Sequence, residues 1–199
     1  HLSLQSSKKP FGVEPQRLLQ LPSVHLTGIS STGKTTLAPM ICEANKDYKL
    51  VKSAVRDSIT EAGGLRSQGK STTQLKAFLN MAFRLEEARR NGYPYVSERD
   101  LICFMAYSRA LGFNTAYEEA FIREVAKNSN VILVVMRPTI KFVADEYRPV
   151  DVDFQKSWSN HIEELAEELK HKYRAVYYME EVELDARVAK IQELLCEHG

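Results

Sequence analysis

Cysteine is scarce in this sequence, and no long hydrophobic run is present. The three cysteines, Cys42, Cys103 and Cys196, lie far apart and lack metal-site spacing, so we expect reduced thiols in helices. No apolar stretch approaches the ~20 residues that a membrane-spanning helix requires. Residues 1–20 lack the apolar core of a signal peptide. We therefore expect a cytoplasmic protein without a membrane partner.

A large charge of either sign is also missing. The 199 residues include 27 basic and 26 acidic side chains, which give a net charge of +1. Proteins that follow a nucleic-acid backbone concentrate lysine and arginine along one surface. Here most basic residues alternate with acidic ones along predicted helices. This balance favours a small-molecule partner over nucleic acid.

What the sequence does contain is a phosphate-binding motif. Residues 28–35, Gly-Ile-Ser-Ser-Thr-Gly-Lys-Thr, match G-x-x-x-x-G-K-[ST] at every constrained position. Glycine lets the backbone turn tightly around a phosphate chain, so that successive N–H groups can point at its oxygens. A predicted buried strand at residues 23–27 and a predicted helix at 35–44 supply the context that the motif requires. The sequence therefore predicts binding of a nucleoside triphosphate.

The motif assigns roles to single side chains. Lys34 is predicted to reach the β- and γ-phosphates from a solvent-facing position, and the Thr35 hydroxyl to complete the shell of a Mg²⁺ ion. The positive end of the helix dipole adds to the attraction for phosphate. The predicted ligands are ATP and Mg²⁺, and the predicted nucleotide-binding residues are Gly28, Ser30, Ser31, Thr32, Gly33, Lys34, Thr35 and Thr36.

Strands and helices alternate along the rest of the chain. The predicted strands are residues 23–27, 48–52, 93–96, 131–136 and 175–179, and the predicted helices are residues 35–44, 73–90, 101–111, 117–127, 154–173 and 182–196. Such alternation predicts one α/β domain, residues 23–199, with a parallel sheet covered on both faces. Residues 1–22 are mostly polar and are predicted to form an N-terminal extension.

Two common classes of phosphate-loop protein are disfavoured because their motifs are missing. GTPases need Asn-Lys-x-Asp to recognise the base, and the similar residues 45–48 are in the wrong position. ABC-type ATPases need Leu-Ser-Gly-Gly, and Gly63-Gly64 lacks the preceding serine. The chain has neither a GTPase nor an ABC-type signature.

Charged residues instead follow the third predicted strand, where residues 97–100 are Ser-Glu-Arg-Asp. In small phosphate-loop kinases this strand lies beside the first, so that its carboxyl end faces the γ-phosphate. Glu98 is predicted to accept the proton of an attacking hydroxyl. Asp100 is predicted to hold the metal shell or the acceptor, to cap the next helix, or both. The predicted acceptor-binding residues are Arg56, Glu98, Arg99 and Asp100.

A charged segment after the fourth strand predicts a lid. Arg137, Lys141 and Arg148 lie in or next to this segment. A cation that folds over the site stabilises the charge on the transferred phosphoryl group, and a lid excludes water. Arg148 is the predicted lid cation, and it completes the predicted catalytic set with Lys34 and Glu98.

Other polar and aromatic residues are predicted to be structural. His25 lies within the first strand, and we expect a core histidine whose hydrogen bonds are satisfied. Trp158 and Tyr173 are predicted to pack in the core. Arg89 and Arg90 are predicted to lie on a helix surface.

Together these motifs resemble the AAA-type P-loop kinase-like domains, which include the nicotinamide riboside kinase domain of bacterial NAD-regulator proteins. The resemblance rests on the phosphate loop, Glu98-Arg99, Ala106-Tyr107, Leu111-Gly112 and residues 143–148, and it covers about residues 24–195. It implies a three-layer nucleoside-kinase-like fold with a lid and a five-stranded parallel sheet in the order 2-3-1-4-5. It also implies transfer of the γ-phosphoryl group of ATP to a hydroxyl or phosphate of a nucleoside- or nucleotide-like small molecule.

Two other functions stay open at this point. Some phage kinases that phosphorylate hydroxymethyluracil within DNA are similar in outline. That function would need a basic groove, for which the clustered candidates are Lys8, Lys9, Arg66 and Lys70. A regulatory ATPase would hydrolyse ATP without any acceptor.

Overall fold

Five parallel strands form a single sheet in the computed structural model, which describes residues 21–29, 32–53, 55, 58–59, 63–64, 69–125, 129–138 and 151–199. The strands are β1 (Ser23–Thr27), β2 (Lys49–Val51), β3 (Tyr95–Ser97), β4 (Val131–Met136) and β5 (Ala175–Met179). Their order is β2-β3-β1-β4-β5. The predicted fold class and strand order are therefore confirmed.

The described helices cover both faces of the sheet. They are α1 (Lys34–Ala44), α2 (Ser71–Arg90), α3 (Leu101–Ala110), α4 (Ala116–Val125), α5 (Val152–Leu169) and α6 (Leu184–His198). One buried apolar cluster joins the sheet to α2, α3 and α5, and a second joins it to α1 and α6. Leu133 and Val134 of β4 belong to opposite clusters, because neighbouring strand residues point to opposite faces. The result is a three-layer arrangement.

Most predicted boundaries agree with the structure to within a few residues. The predicted bounds of β1, β4 and β5 are those observed. β3 begins at Tyr95 rather than residue 93, since Pro94 has no N–H to donate to a neighbouring strand. The helix predicted over residues 154–173 begins at Val152 and ends at Leu169, where a 3₁₀ turn follows.

The structure also bears on the chain's cysteines and on membrane crossing. Cys42, Cys103 and Cys196 are free thiols within helices, as predicted. No described helix is both long enough and apolar enough to cross a bilayer. Residues 1–20, most of the predicted extension, lie outside the described residues.

Candidate active site

The phosphate loop, residues 28–35, begins where β1 ends. In a parallel sheet all strands end at the same edge, which we call the carboxyl edge. A Cβ atom at Gly28 would lie 2.6 Å from the carbonyl oxygen of Met136, the last residue of β4. Only glycine therefore fits between the two strand ends. Ser30 and Ser31 lie outside the described residues.

Lys34 is buried inside the loop, which corrects the solvent-facing position predicted for it. The residue is 5% exposed. Its Nζ lies 2.9 Å from the Gly28 carbonyl oxygen and 2.9 Å from Thr32 Oγ1, and it also donates to the Ile29 carbonyl. The side chain turns back from the first residue of α1 because these oxygens attract its ammonium group. A positive charge is thus held within the loop itself.

The first turn of α1 presents groups that suit an anion and a hard cation. Its N-cap residue, Gly33, has φ of 89° and no side chain that could cap the helix. Thr35 and Thr36 are exposed. The helix N-terminus suits phosphate, and hydroxyl oxygen suits Mg²⁺.

The described carboxylates, histidines and cysteines also bear on the predicted metal site. Among these side chains, no group of three is arranged to hold a metal ion. Mg²⁺ in kinase sites is held by few protein groups together with water and substrate phosphates. The Thr35 hydroxyl beside a phosphate loop fits this mode of binding.

Arg187 on α6 supports the loop from outside, a contact that the sequence analysis missed. The residue is 1% exposed. Its Nη1 donates to the Thr32 carbonyl at 2.9 Å, and its Nε donates to the Glu181 carbonyl at 2.8 Å. Burial lowers the pKa of Arg187, and the charge of Glu181 opposes that effect. The sequence pattern could have indicated that Arg187 is buried, because it lies on the apolar stripe of α6 formed by Ile191, Leu194 and Leu195.

Glu98 lies at the carboxyl edge, directly after β3. It is buried, and its Oε2 accepts a hydrogen bond from the Ser53 backbone N–H at 3.1 Å. Its own N–H donates to the carbonyl of Val51, the last residue of β2. Because β3 lies between β1 and β2, the carboxylate shares an edge with the phosphate loop.

Arg99 is joined to the phosphate loop through Cys103. The Arg99 Nη1 lies 2.9 Å from Cys103 Sγ, and this thiol donates to the Gly28 carbonyl at 3.4 Å. The Cys103 carbonyl accepts a hydrogen bond from Trp158 Nε1 at 3.0 Å. α3 is therefore tied to both the loop and α5, and Arg99 lies between β3 and α3 at the carboxyl edge.

An aromatic cluster lies between α3 and α5. The Tyr107 ring packs edge-on against Trp158, with centroids 4.9 Å apart, and against Phe154, with centroids 5.0 Å apart. Burial raises the pKa of Tyr107 to about 12, although the charge of Arg99 lowers it. The phenol is therefore a neutral hydrogen-bond donor at physiological pH. The packing role predicted for Trp158 is confirmed.

The Asp100 side chain is not grouped with Glu98 and Arg99 at the carboxyl edge. Its Oδ1 accepts from the Ile102 N–H and the Tyr173 hydroxyl, both at 2.9 Å, and its Oδ2 lies 2.6 Å from His25 Nδ1. His25 Nε2 is in turn 2.9 Å from the Tyr95 hydroxyl. The predicted capping role and the satisfied core histidine are confirmed. The carboxylate is occupied by these contacts, so we leave Asp100 out of the proposed metal and acceptor sites.

The Asp100–His25 cluster faces a separate cavity. This cavity has a volume of about 590 Å³, and its lining includes the first residues of β1, β3 and β4, which are Ser23, Tyr95 and Val131. Strand starts lie at the edge of the sheet opposite the phosphate loop. The cavity is thus distinct from the candidate active site.

Asp100→Asn is expected to destabilise the fold by about 1.5–3 kcal/mol, since it removes a buried charged hydrogen bond to His25 while keeping a good N-cap. Equilibrium unfolding in urea measures this loss. Asp151→Asn is the matched control, because Asp151 also caps a helix through its side chain but lies exposed at the start of α5. An unchanged stability for Asp100→Asn, with a raised Mg²⁺ requirement, would return Asp100 to the metal site.

The other predicted cations are divided between described and undescribed segments. Arg56, Lys141 and Arg148 lie outside the described residues. Arg137 is described, and its guanidinium lies 3.2 Å from Glu163 and 3.2 Å from Glu180. These partially exposed ion pairs link the end of β4 to α5 and to the segment after β5.

Most of the chain matches a known domain family. A model of an AAA domain family matches residues 23–181. The chain belongs to this AAA domain family. This match confirms the family that the motifs predicted, whereas no curated protein matches the chain in sequence.

Three solved kinase structures share this fold. A deoxyadenosine kinase from M. mycoides with the products dCMP and dCDP is 15% identical with a TM-score of 0.68, covering 88% of this chain and 99% of that one. A thymidylate kinase from Candida albicans is 14% identical with a TM-score of 0.63, covering 90% and 94%. A thymidylate kinase from Ehrlichia chaffeensis is 14% identical with a TM-score of 0.62, covering 87% and 97%. At these identities the likeness establishes the fold.

Proposed function

We propose that this protein is an ATP- and Mg²⁺-dependent phosphotransferase whose acceptor is a nucleoside- or nucleotide-like small molecule. The position of Glu98 and Arg99 carries the proposal. Both residues follow β3 at the edge where the phosphate loop begins, and Arg99 reaches Gly28 through Cys103. A carboxylate, a guanidinium and a triphosphate site on one edge form a suitable set for phosphoryl transfer.

The phosphate loop would hold the donor. Lys34 already lies among the loop oxygens, and we infer that its ammonium moves from them to the β- and γ-phosphates when ATP binds. The N-terminus of α1 would add N–H donors, together with Gly28, Ser30, Ser31, Thr32, Gly33 and Thr36. Thr35 would hold Mg²⁺, which neutralises charge on the phosphate oxygens when bound.

The residues after β3 would act on the acceptor. For a hydroxyl acceptor, its oxygen forms a bond to the γ-phosphorus as the bond to the β-phosphate oxygen breaks and ADP leaves. Glu98 would accept the hydroxyl proton, and Arg99 would stabilise charge on the transferred group. Arg56 and Arg148 stay in the proposal as an acceptor-binding cation and a lid cation.

A small acceptor is favoured over DNA for two reasons. The chain has almost equal numbers of basic and acidic residues, whereas binding to a nucleic-acid backbone requires a concentrated positive surface. The kinases of similar fold are named for deoxyadenosine and thymidylate, which are a nucleoside and a nucleotide. We extend this substrate class to the present chain.

Phosphoryl transfer that depends on an added acceptor is the expected result of the direct test. Purified protein is incubated with γ-labelled ATP and Mg²⁺, together with single nucleosides, nucleotides, or single- and double-stranded DNA. Label should move to one group of nucleosides or nucleotides, and ADP release should rise only in their presence. Transfer into DNA, with binding that weakens as salt rises, would indicate a DNA-modifying kinase. ADP release that no acceptor increases would indicate a regulatory ATPase.

A further inference from the structure

The contact between Arg187 and Thr32 fixes the orientation of one peptide group in the phosphate loop. The described residues contain no cis peptide bond, so the Thr32–Gly33 peptide is trans. In a trans peptide the C=O and the N–H point in opposite directions. Because the Thr32 carbonyl points outward to Arg187 Nη1 at 2.9 Å, the Gly33 N–H is directed away from α6.

We propose that Arg187 is a positioning residue for the phosphate loop: it holds the Thr32–Gly33 peptide so that the Gly33 N–H is available to the phosphate chain of the nucleotide. This inference rests on the proposed function. Arg187 acts through the backbone, because its Nη1 and Nε donate to carbonyl oxygens. Its second hydrogen bond, from Nε to the Glu181 carbonyl, anchors the guanidinium to the segment between β5 and α6. A residue on α6, far from the loop in the sequence, therefore holds the loop backbone in place.

Gly33 lies against the same guanidinium group of Arg187. A Cβ atom built on Gly33 would lie 2.9 Å from Arg187 Nη1, closer than a side chain could stand without a shift. The residue also has φ of 89°, a conformation that favours glycine. The backbone conformation thus favours glycine at this position, and an added side chain would also displace the Arg187 guanidinium.

The test compares Arg187→Lys and Arg187→Gln with the wild type. Lysine keeps the charge but has a single nitrogen. It cannot donate to the Thr32 and Glu181 carbonyls in the way that the planar guanidinium does. Binding of ATP·Mg²⁺ and of inorganic tripolyphosphate is measured by calorimetry below the lowest Tm of the set. Both variants should bind either probe about 10- to 100-fold more weakly, the range of one charged hydrogen bond. Arg123→Lys is the control, because Arg123 makes an exposed ion pair with Glu119 on α4.

A second measurement separates positioning from general support of the fold. Hydrogen exchange should speed up at the amides of the phosphate loop in Arg187→Lys and stay unchanged in β4. Wild-type affinity for both probes in the lysine variant would overturn this inference alone. A lower Tm with unchanged probe affinity would likewise overturn it in favour of a purely structural role. Failure of the wild type to bind either probe would overturn the proposed function as well.

Discussion

Lys34→Ala is expected to lower kcat/KM for ATP by about 10³-fold, the scale found when one charged group is removed from a phosphoryl-transfer site. The Lys34 ammonium lies among the loop oxygens, with Nζ 2.9 Å from the Gly28 carbonyl. Its burial adds an effect on stability, because the variant loses hydrogen bonds to the loop. We expect a loss of about 1–2 kcal/mol, or a Tm lower by about 2–8 °C.

Thermal unfolding with and without ATP·Mg²⁺ separates the two effects. Wild-type Tm should rise with ligand, since a ligand at 100 times its Kd stabilises the folded state by about 2.7 kcal/mol. The Tm of Lys34→Ala should start lower and should not rise. Lys46→Ala is the control, because Lys46 is exposed just beyond the carboxyl end of α1. Near-normal turnover in Lys34→Ala would contradict the assignment of residues 28–35 as the phosphate-binding loop.

The parts of the fold that depend on local sequence could be predicted. The bounds of β1 and β4 follow from short apolar runs, and the phosphate loop follows from a motif of adjacent residues. Glu98 was assigned to the carboxyl edge because it directly follows a strand. The order of the strands came from family resemblance, since periodicity alone does not say which strands are neighbours.

The contacts that join distant parts of the chain could not be predicted. Arg187 and Thr32 are separated by 155 positions, and His25 and Asp100 by 75. A motif specifies residue types at a site but not the partners that a side chain has before its ligand binds. For this reason the burial of Lys34 was missed. Arginine on an apolar helix stripe and histidine in an apolar strand were the available signals, since both require a buried partner.

Glu98→Gln is expected to lower the rate of phosphoryl transfer by roughly 10²–10⁴-fold, the usual contribution of a general base, while ATP affinity changes by no more than a few-fold. Glutamine keeps the shape of the side chain, and its amide oxygen can still accept the hydrogen bond from the Ser53 N–H that Glu98 Oε2 accepts at 3.1 Å. The substitution removes the carboxylate's negative charge and its ability to accept a proton, but it keeps this hydrogen bond. The Tm should therefore stay close to that of the wild type.

Single-turnover transfer with saturating ATP measures the chemical step, and calorimetry measures ATP binding. Glu180→Gln is the matched control, because Glu180 follows β5 at the same edge, and its side chain is 74% exposed and paired with Arg137. A transfer rate within a few-fold of the wild type in Glu98→Gln would exclude Glu98 as the base. Such a result would be consistent with a loose transition state, in which the attacking oxygen keeps its proton until the bond to the leaving group is largely broken. Glu98 would then hold β2 to β3 through Ser53, and Arg99 would be the principal catalytic group after β3.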